Sequence, residues 1–276
     1  MKEAEQAHTF LLQAKNHPEV IAHRGGNGQW PGETMAAYKG AMSLKVDVLE
    51  MDIYLTKDRK LVLMHDEYVE KTTNGKGPVH TFTLNEIQQL NAGYHWSEDD
   101  ENFPYQMPLD QLPEDLRKDL RVPSLREVLE AFPRMRMVIE MKPASLSPAA
   151  ALSGLLREYD MTDRVLVASF SGDFMNEFRG LCGEVATSLS LSGKDLAELL
   201  FGVNWFDDQP IKPLVLEAPH YLVNEGLVEF ARHRGLMLHA WTVNKLSNMT
   251  RMKALGVDGI ITDYPGPLMA LLGRDQ

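Results

Sequence analysis

The chain has 276 residues, 44% of them apolar, enough for one large domain with a complete core. Its 39 acidic residues outnumber 28 basic ones, and the net charge of −11 with no basic run argues against nucleic acid or an anionic membrane as the main partner. Any anionic substrate must be held by local cations, and the single cysteine, Cys182, excludes an internal disulfide.

The first twenty residues carry charges on both sides of a very short apolar patch, which fits neither a signal peptide nor a membrane span. The expectation is a cytoplasmic protein with a short amphipathic helix over 4–15. From residue 19 onward, short β-like runs alternate with helical stretches. Strands are expected at 20–23, 48–55, 137–141, 165–170, 185–191, 215–222, 237–243 and 259–262. Helices are expected at 34–44, 124–132, 148–159, 172–181, 193–200, 224–234 and 245–255, with Gly235 and Gly256 placed as C′ glycines. Eight parallel-type strands, most followed by a helix, give an α/β chain with a (β/α)8 TIM barrel. The alternation breaks only between strands two and three. Residues 67–122 are therefore expected to form a small capping insertion over the barrel mouth, within a single domain spanning 1–276. The insertion's aromatics, Tyr94, Trp96, Phe103 and Tyr105, are read as its own small core ahead of a lipid-binding rim.

The chemistry concentrates in 48–66, where three carboxylates and a histidine sit in two apolar runs. In a strand, Glu50 and Asp52 share one face while Leu49, Met51 and Ile53 share the other. The polar turn 56–60 predicts a hairpin, which would set His65 and Asp66 opposite Glu50 and Asp52. An unpaired charge inside such a run is costly unless a cation or a hydrogen-bonding partner compensates it. Barrel chemistry sits at the C-terminal ends of the strands. There the chain places His23 and Arg24, Glu140 and Lys142, Ser169, Trp241 with Asn244, and Asp263. Carboxylates suit a hard divalent cation, Arg24 and Lys142 suit a phosphate, and two imidazoles can serve in turn as base and acid. Asp263 is read as holding the mouth together, and the other histidines, His239 included, as structural.

With those residues in view, the sequence resembles the glycerophosphodiester phosphodiesterase family. The matching motifs are His23-Arg24-Gly25, Glu50-x-Asp52, His65-Asp66, Glu140-x-Lys142, Trp241-Thr242-Val243-Asn244 and Gly256-Val257-Asp258-Gly259. The resemblance implies hydrolysis of a glycerophosphodiester to sn-glycerol 3-phosphate and an alcohol, aided by a divalent metal, Mg²⁺ or Ca²⁺. It implies His23 and His65 as the acid–base pair, Arg24 and Lys142 as phosphate contacts, Trp241 as a pocket wall, and Glu50, Asp52 and Glu140 as metal ligands. In that family the hydroxyl beside the phosphodiester attacks phosphorus, and water opens the resulting cyclic phosphate. One motif departs: Pro31-Gly32-Glu33-Thr34 has glycine where the family places an acid, leaving Glu33, one position later, as the replacement metal ligand. The glycine-rich Gly25-Gly26-x-Gly28 and Asn91-Ala92-Gly93-Tyr94 resemble the branch that includes lysophospholipase D enzymes, so a lysophospholipid is the alternative substrate. The reading from another class is a non-catalytic phosphodiester-binding barrel, for which Gly32 speaks. An aldolase-type barrel would leave the acidic cluster unexplained and gives Lys142 no Schiff-base setting.

Overall fold

The computed structural model describes residues 17–190 and 213–274. The expected helices at 4–15 and 193–200 lie outside them. Eight parallel strands form the barrel: β1 (Glu19–Ala22), β2 (Val48–Leu55), β4 (Arg136–Met141), β5 (Val165–Ala168), β6 (Ala186–Ser190), β7 (Val215–Pro219), β8 (Met237–Trp241) and β9 (Gly259–Thr262). The order runs β1-β9-β8-β7-β6-β5-β4-β2, and pairing of β1 with β2 (Ile21 opposite Val48) closes the ring. The short β3 (Leu61–Leu63) turns back antiparallel on the end of β2.

The period-two pattern sorts the side chains. On β2 the residues Leu49, Met51 and Ile53 face outward into the layer between strands and helices, while Val48 joins the barrel interior with Ile21, Val138, Leu166, Val215 and Ile261. That interior cluster fills the barrel below the mouth. An ion pair between Arg136 and Glu19 lies further toward the N-terminal ends of the strands.

Helices α1 (Met35–Ser43), α4 (Leu125–Ala131), α5 (Ala149–Glu158), α6 (Gly172–Leu181), α7 (Glu225–His233), α8 (Leu246–Leu255) and α9 (Pro265–Leu271) follow barrel strands; between β3 and α4 lie α2 (Leu84–Ile87) and α3 (Glu114–Leu120). Side chains cap two of their starts: Thr34 accepts from Ala37 N, and Ser124 forms a capping box with Glu127. Gly235 and Gly256 take positive φ at helix ends, as expected.

Three strand ends differ from expectation by more than one residue, for one reason. Strands β5, β7 and β8 end at Ala168, Pro219 and Trp241, two to three residues early, because the chain leaves the ladder at the mouth to begin its loops. Apolar residues past those points, such as Phe170 and Leu222, belong to loops.

Between β3 and α4 the chain buries an apolar cluster of its own around Val69, Val79, Ile87 and Val122. Tyr105 and Met107 pack on a second one made by Leu109, Leu112 and Leu120. Trp96 stacks on Tyr105 with centroids 6.0 Å apart, and its indole N–H donates to Asn27 O in the loop after β1. Among the described residues, no helix is long and apolar enough to cross a membrane.

Candidate active site

β1 delivers the first two groups. After Ala22 the chain makes a single 3-10 turn, His23–Gly25, with Arg24 at φ +52° and Gly25 at φ +79°. A Cβ on Gly25 would lie 2.8 Å from that of Ala37, so the close seat of this turn on α1 requires glycine. The turn aims the Arg24 backbone N–H at Glu50 Oε2 (2.7 Å) and brings Arg24 Nε to 3.3 Å from Asp52 Oδ2.

β2 and β4 supply the acids. Glu50, Asp52 and Glu140 each offer a carboxylate oxygen within 4.8 Å of the others. Lys142 Nζ lies 2.9 Å from Asp52 Oδ1 and 2.8 Å from Glu140 Oε1. Burial works against a charge on Asp52, but Lys142 and Arg24 outweigh it and hold the carboxyl below its usual range. Burial and the Asp52 charge push Glu140 up to about 7 and Glu50 well above its usual range. Fully ionised, the three acids would carry one more negative charge than Arg24 and Lys142 neutralise, and without a cation Glu50 and Glu140 relieve that crowding by holding protons. That imbalance, with an all-oxygen donor set, fits a hard divalent cation.

His23 Nδ1 sits 2.6 Å from Asp263 Oδ1, which turns Nε2 toward the acids, 4.0 Å from Glu50 Oε2. Asp263 accepts from Asn244 Nδ2 at 2.5 Å and donates its own N–H to Asn244 Oδ1, so the ring's partner is itself anchored. The expectation that Asp263 holds the mouth together is half the picture, because it also orients an imidazole. His65 arrives by a different route from the one expected. The hairpin register puts Met64 opposite Asp52, the ladder stops there, and His65 enters from beyond the end of β3, its Nδ1 3.4 Å from Asp66. Burial lowers its pKa, with Asp52 pulling the other way.

A cavity of about 140 Å³ opens at the strand ends and is lined by His23, Arg24, Glu50, His65, Glu140 and Lys142. Its opposite wall holds Trp241 and Phe170, whose rings meet edge-to-face at 5.8 Å. The structure therefore gathers His23, His65, Arg24, Lys142, Glu50, Asp52, Glu140 and Trp241 in one place.

Glu33 is not recruited to the acid cluster. It sits at φ +58°, its Oε1 accepting from Asp52 N at 2.9 Å and its Oε2 from Tyr38 OH at 2.5 Å. With both oxygens committed, it steadies the β2 backbone beneath Asp52 instead of facing a cation. Gly32 is equally committed: a Cβ there would meet Asn27 Oδ1 at 2.3 Å. Restoring an acid with Gly32→Glu is thus expected to lower stability by about 1–3 kcal/mol without tightening metal binding. Denaturant melts and a metal titration of the variant check both halves, and tighter metal binding would contradict this placement.

Sequence reading overlooked Tyr38, Ser190 and Glu217. Glu217 gave the same signal as Glu50, an acid inside an apolar strand; the others sit at positions whose neighbours come from distant segments.

The fold is a closed parallel barrel of the (β/α)8 class, and its C-terminal mouth gathers acids, two cations and two imidazoles, a donor set that suits a phosphate and a hard cation. The model of the glycerophosphoryl diester phosphodiesterase family matches residues 23–267. The chain belongs to that family. It is 34% identical over 260 residues to a glycerophosphodiester phosphodiesterase of Caldanaerobacter subterraneus subsp. tengcongensis, covering 92% of this chain and 98% of the relative. It is 25% identical to a lysophospholipase D of Mus musculus, covering 92% and 86%. An Oleispira antarctica phosphodiesterase, solved with the product sn-glycerol-3-phosphate, shares the fold at TM-score 0.74 and 24% identity over 93% of this chain and 97% of that one.

Proposed function

We propose that this chain hydrolyses glycerophosphodiesters to sn-glycerol 3-phosphate and an alcohol. The observation that carries the proposal is the convergence of Arg24 and Lys142 on the same acid cluster that faces both imidazoles. Family membership and the name of the 34% relative support it.

Glu50, Asp52 and Glu140 would hold the divalent cation, Mg²⁺ or Ca²⁺, which when bound neutralises phosphate oxygens as charge builds in the transition state. Arg24 and Lys142 add fixed positive charge at the same oxygens. His65, its pKa lowered by burial, is neutral near pH 7 and suited to take the proton of the attacking hydroxyl. His23, with Nδ1–H held on Asp263, presents Nε2 to hand a proton to the leaving alcohol oxygen. Their roles reverse when water opens the intermediate. Residues 67–122 serve as the cap, tied to the mouth through Trp96 and Asn27.

A second reading, lysophospholipid hydrolysis, draws support from Phe170, Tyr221 and Tyr264, all exposed in loops that follow barrel strands. The insertion offers it less, since Trp96, Tyr105 and Met107 are spent on internal packing. Release of glycerol 3-phosphate from glycerophosphocholine against lysophosphatidic acid from lysophosphatidylcholine, with Mg²⁺ or Ca²⁺, separates the two. Release of glycerol 3-phosphate is the expected result. Silence on both substrates with either metal would favour a barrel that binds without cleaving.

A further inference from the structure

Opposite the cation-rich side, the cavity has a second polar pole that the cleavage chemistry leaves unused. In the ring of eight strands, β7 is four strands from β2 in either direction, so Glu217 stands diametrically across from Glu50 and Asp52. It is 4% exposed and lines the cavity with Ser190. Its Oε2 accepts from Ser188 Oγ at 2.9 Å and Ser190 Oγ at 3.2 Å. Its Oε1 is buried and has no hydrogen-bond partner among the described residues. His239 Nδ1 is 3.9 Å from it, beyond hydrogen-bond distance, and neither ring nitrogen of His239 has a hydrogen bond to a described residue.

A buried carboxylate oxygen without a donor is costly, so a ligand that brings a donor to it is bound preferentially. The phosphate cannot be that ligand, because a carboxylate repels it; Arg24 and Lys142 fix it at the other pole. The donor must lie at the far end of the substrate's three-carbon unit. A hydroxyl suits better than an ammonium, because it can donate to Oε1 and keep a lone pair for an N–H of His239.

Resting on the phosphodiesterase reading above, we propose that Glu217, braced by Ser188 and Ser190, recognises the terminal hydroxyl of the glycerol unit, the one remote from the phosphate. The chain then selects deacylated glycerophosphodiesters over 1-acyl lysophospholipids, whose ester at that position has no proton to donate. Selection and bond cleavage sit on opposite walls of one cavity.

Calorimetric titration of the Mg²⁺- or Ca²⁺-loaded protein with glycerol 3-phosphate, with propane-1,2-diol 1-phosphate, which lacks only the terminal hydroxyl, and with its 3-amino counterpart tests the subsite. The parent is expected to prefer glycerol 3-phosphate to the diol phosphate about ten- to hundred-fold. Glu217→Leu is expected to compress that ratio to within about threefold, and Glu217→Gln supplies the same comparison if the leucine variant does not fold. No preference in the parent, an unchanged ratio in the variants, or tighter binding of the amino compound would each overturn the hydroxyl subsite while leaving the phosphodiesterase reading in place. Failure of all three phosphates to bind would sink both. Faster parent turnover of 1-acyl lysophosphatidylcholine than of glycerophosphocholine would also sink the subsite.

Discussion

His65→Ala is expected to lower kcat/KM on glycerophosphocholine by about 10²–10⁴-fold, the usual contribution of a positioned acid or base. His65 is the cleaner variant for this purpose. Its side chain is about one-third exposed and lines the open cavity, so the melting temperature should stay within a degree or two of the parent. The loss should fall mainly in kcat, because the phosphate contacts proposed for Arg24 and Lys142 are untouched. His23→Ala should lose a similar factor in rate but also leave Asp263 without its imidazole partner, so some loss of stability is expected with it. Steady-state kinetics beside thermal melts on both variants make the comparison. A His65→Ala enzyme within tenfold of the parent would remove His65 from the acid–base pair.

Stripping divalent metal with a chelator is expected to cost at least two orders of magnitude in activity, with recovery on adding back Mg²⁺ or Ca²⁺. The same treatment should reshape stability against pH, and the sign follows from the acids. Glu140 titrates near 7 in the folded chain, and Glu50 is also well raised, because burial and Asp52 disfavour their ionised forms. In the unfolded chain both return to about 4.5. Between those values the folded state holds protons that the unfolded state has released, so metal-free stability is greatest at the acid end and falls as pH rises toward 7. Asp52 shifts the opposite way, but its effect is confined to pH below about 4. A bound cation replaces those protons, so added metal should raise the melting temperature more at pH 8 than at pH 5.5. Melts at the two pH values with and without metal decide it. Equal stabilisation at both would mean that the cation does not sit among these acids.

Much of this was legible in the residues, for identifiable reasons. Glu50 and Asp52 betray themselves because a period-two strand sorts acid from apolar neighbours, and the C-terminal ends of barrel strands are few enough to enumerate. The pairing of His23 with Asp263 was not legible, since the partners are 240 residues apart and meet only when β9 closes beside β1. Nor was the fate of Glu33. A Pro-Gly-Glu-Thr string does not reveal that the glycine lies against Asn27 or that the glutamate's oxygens are claimed by Tyr38 and the backbone of Asp52. Strand ends were overrun wherever apolar loop residues continued the β pattern past the ladder, as at Phe170.

The strand order carries a final consequence. The groups assigned to bond cleavage come from β9, β1, β2, the segment beyond β3, and β4, a contiguous arc of the ring; Ser190, Glu217 and Trp241 come from β6, β7 and β8, the facing arc. Evolution or a protein engineer can therefore remodel the facing arc while leaving the cleavage arc in place, provided that Asn244, just past β8, is kept to anchor Asp263. A chimera that grafts β6 to β8 from a lipid-cleaving relative would exchange, as a unit, the wall proposed to read the terminal glycerol hydroxyl, while keeping this chain's own cleavage arc.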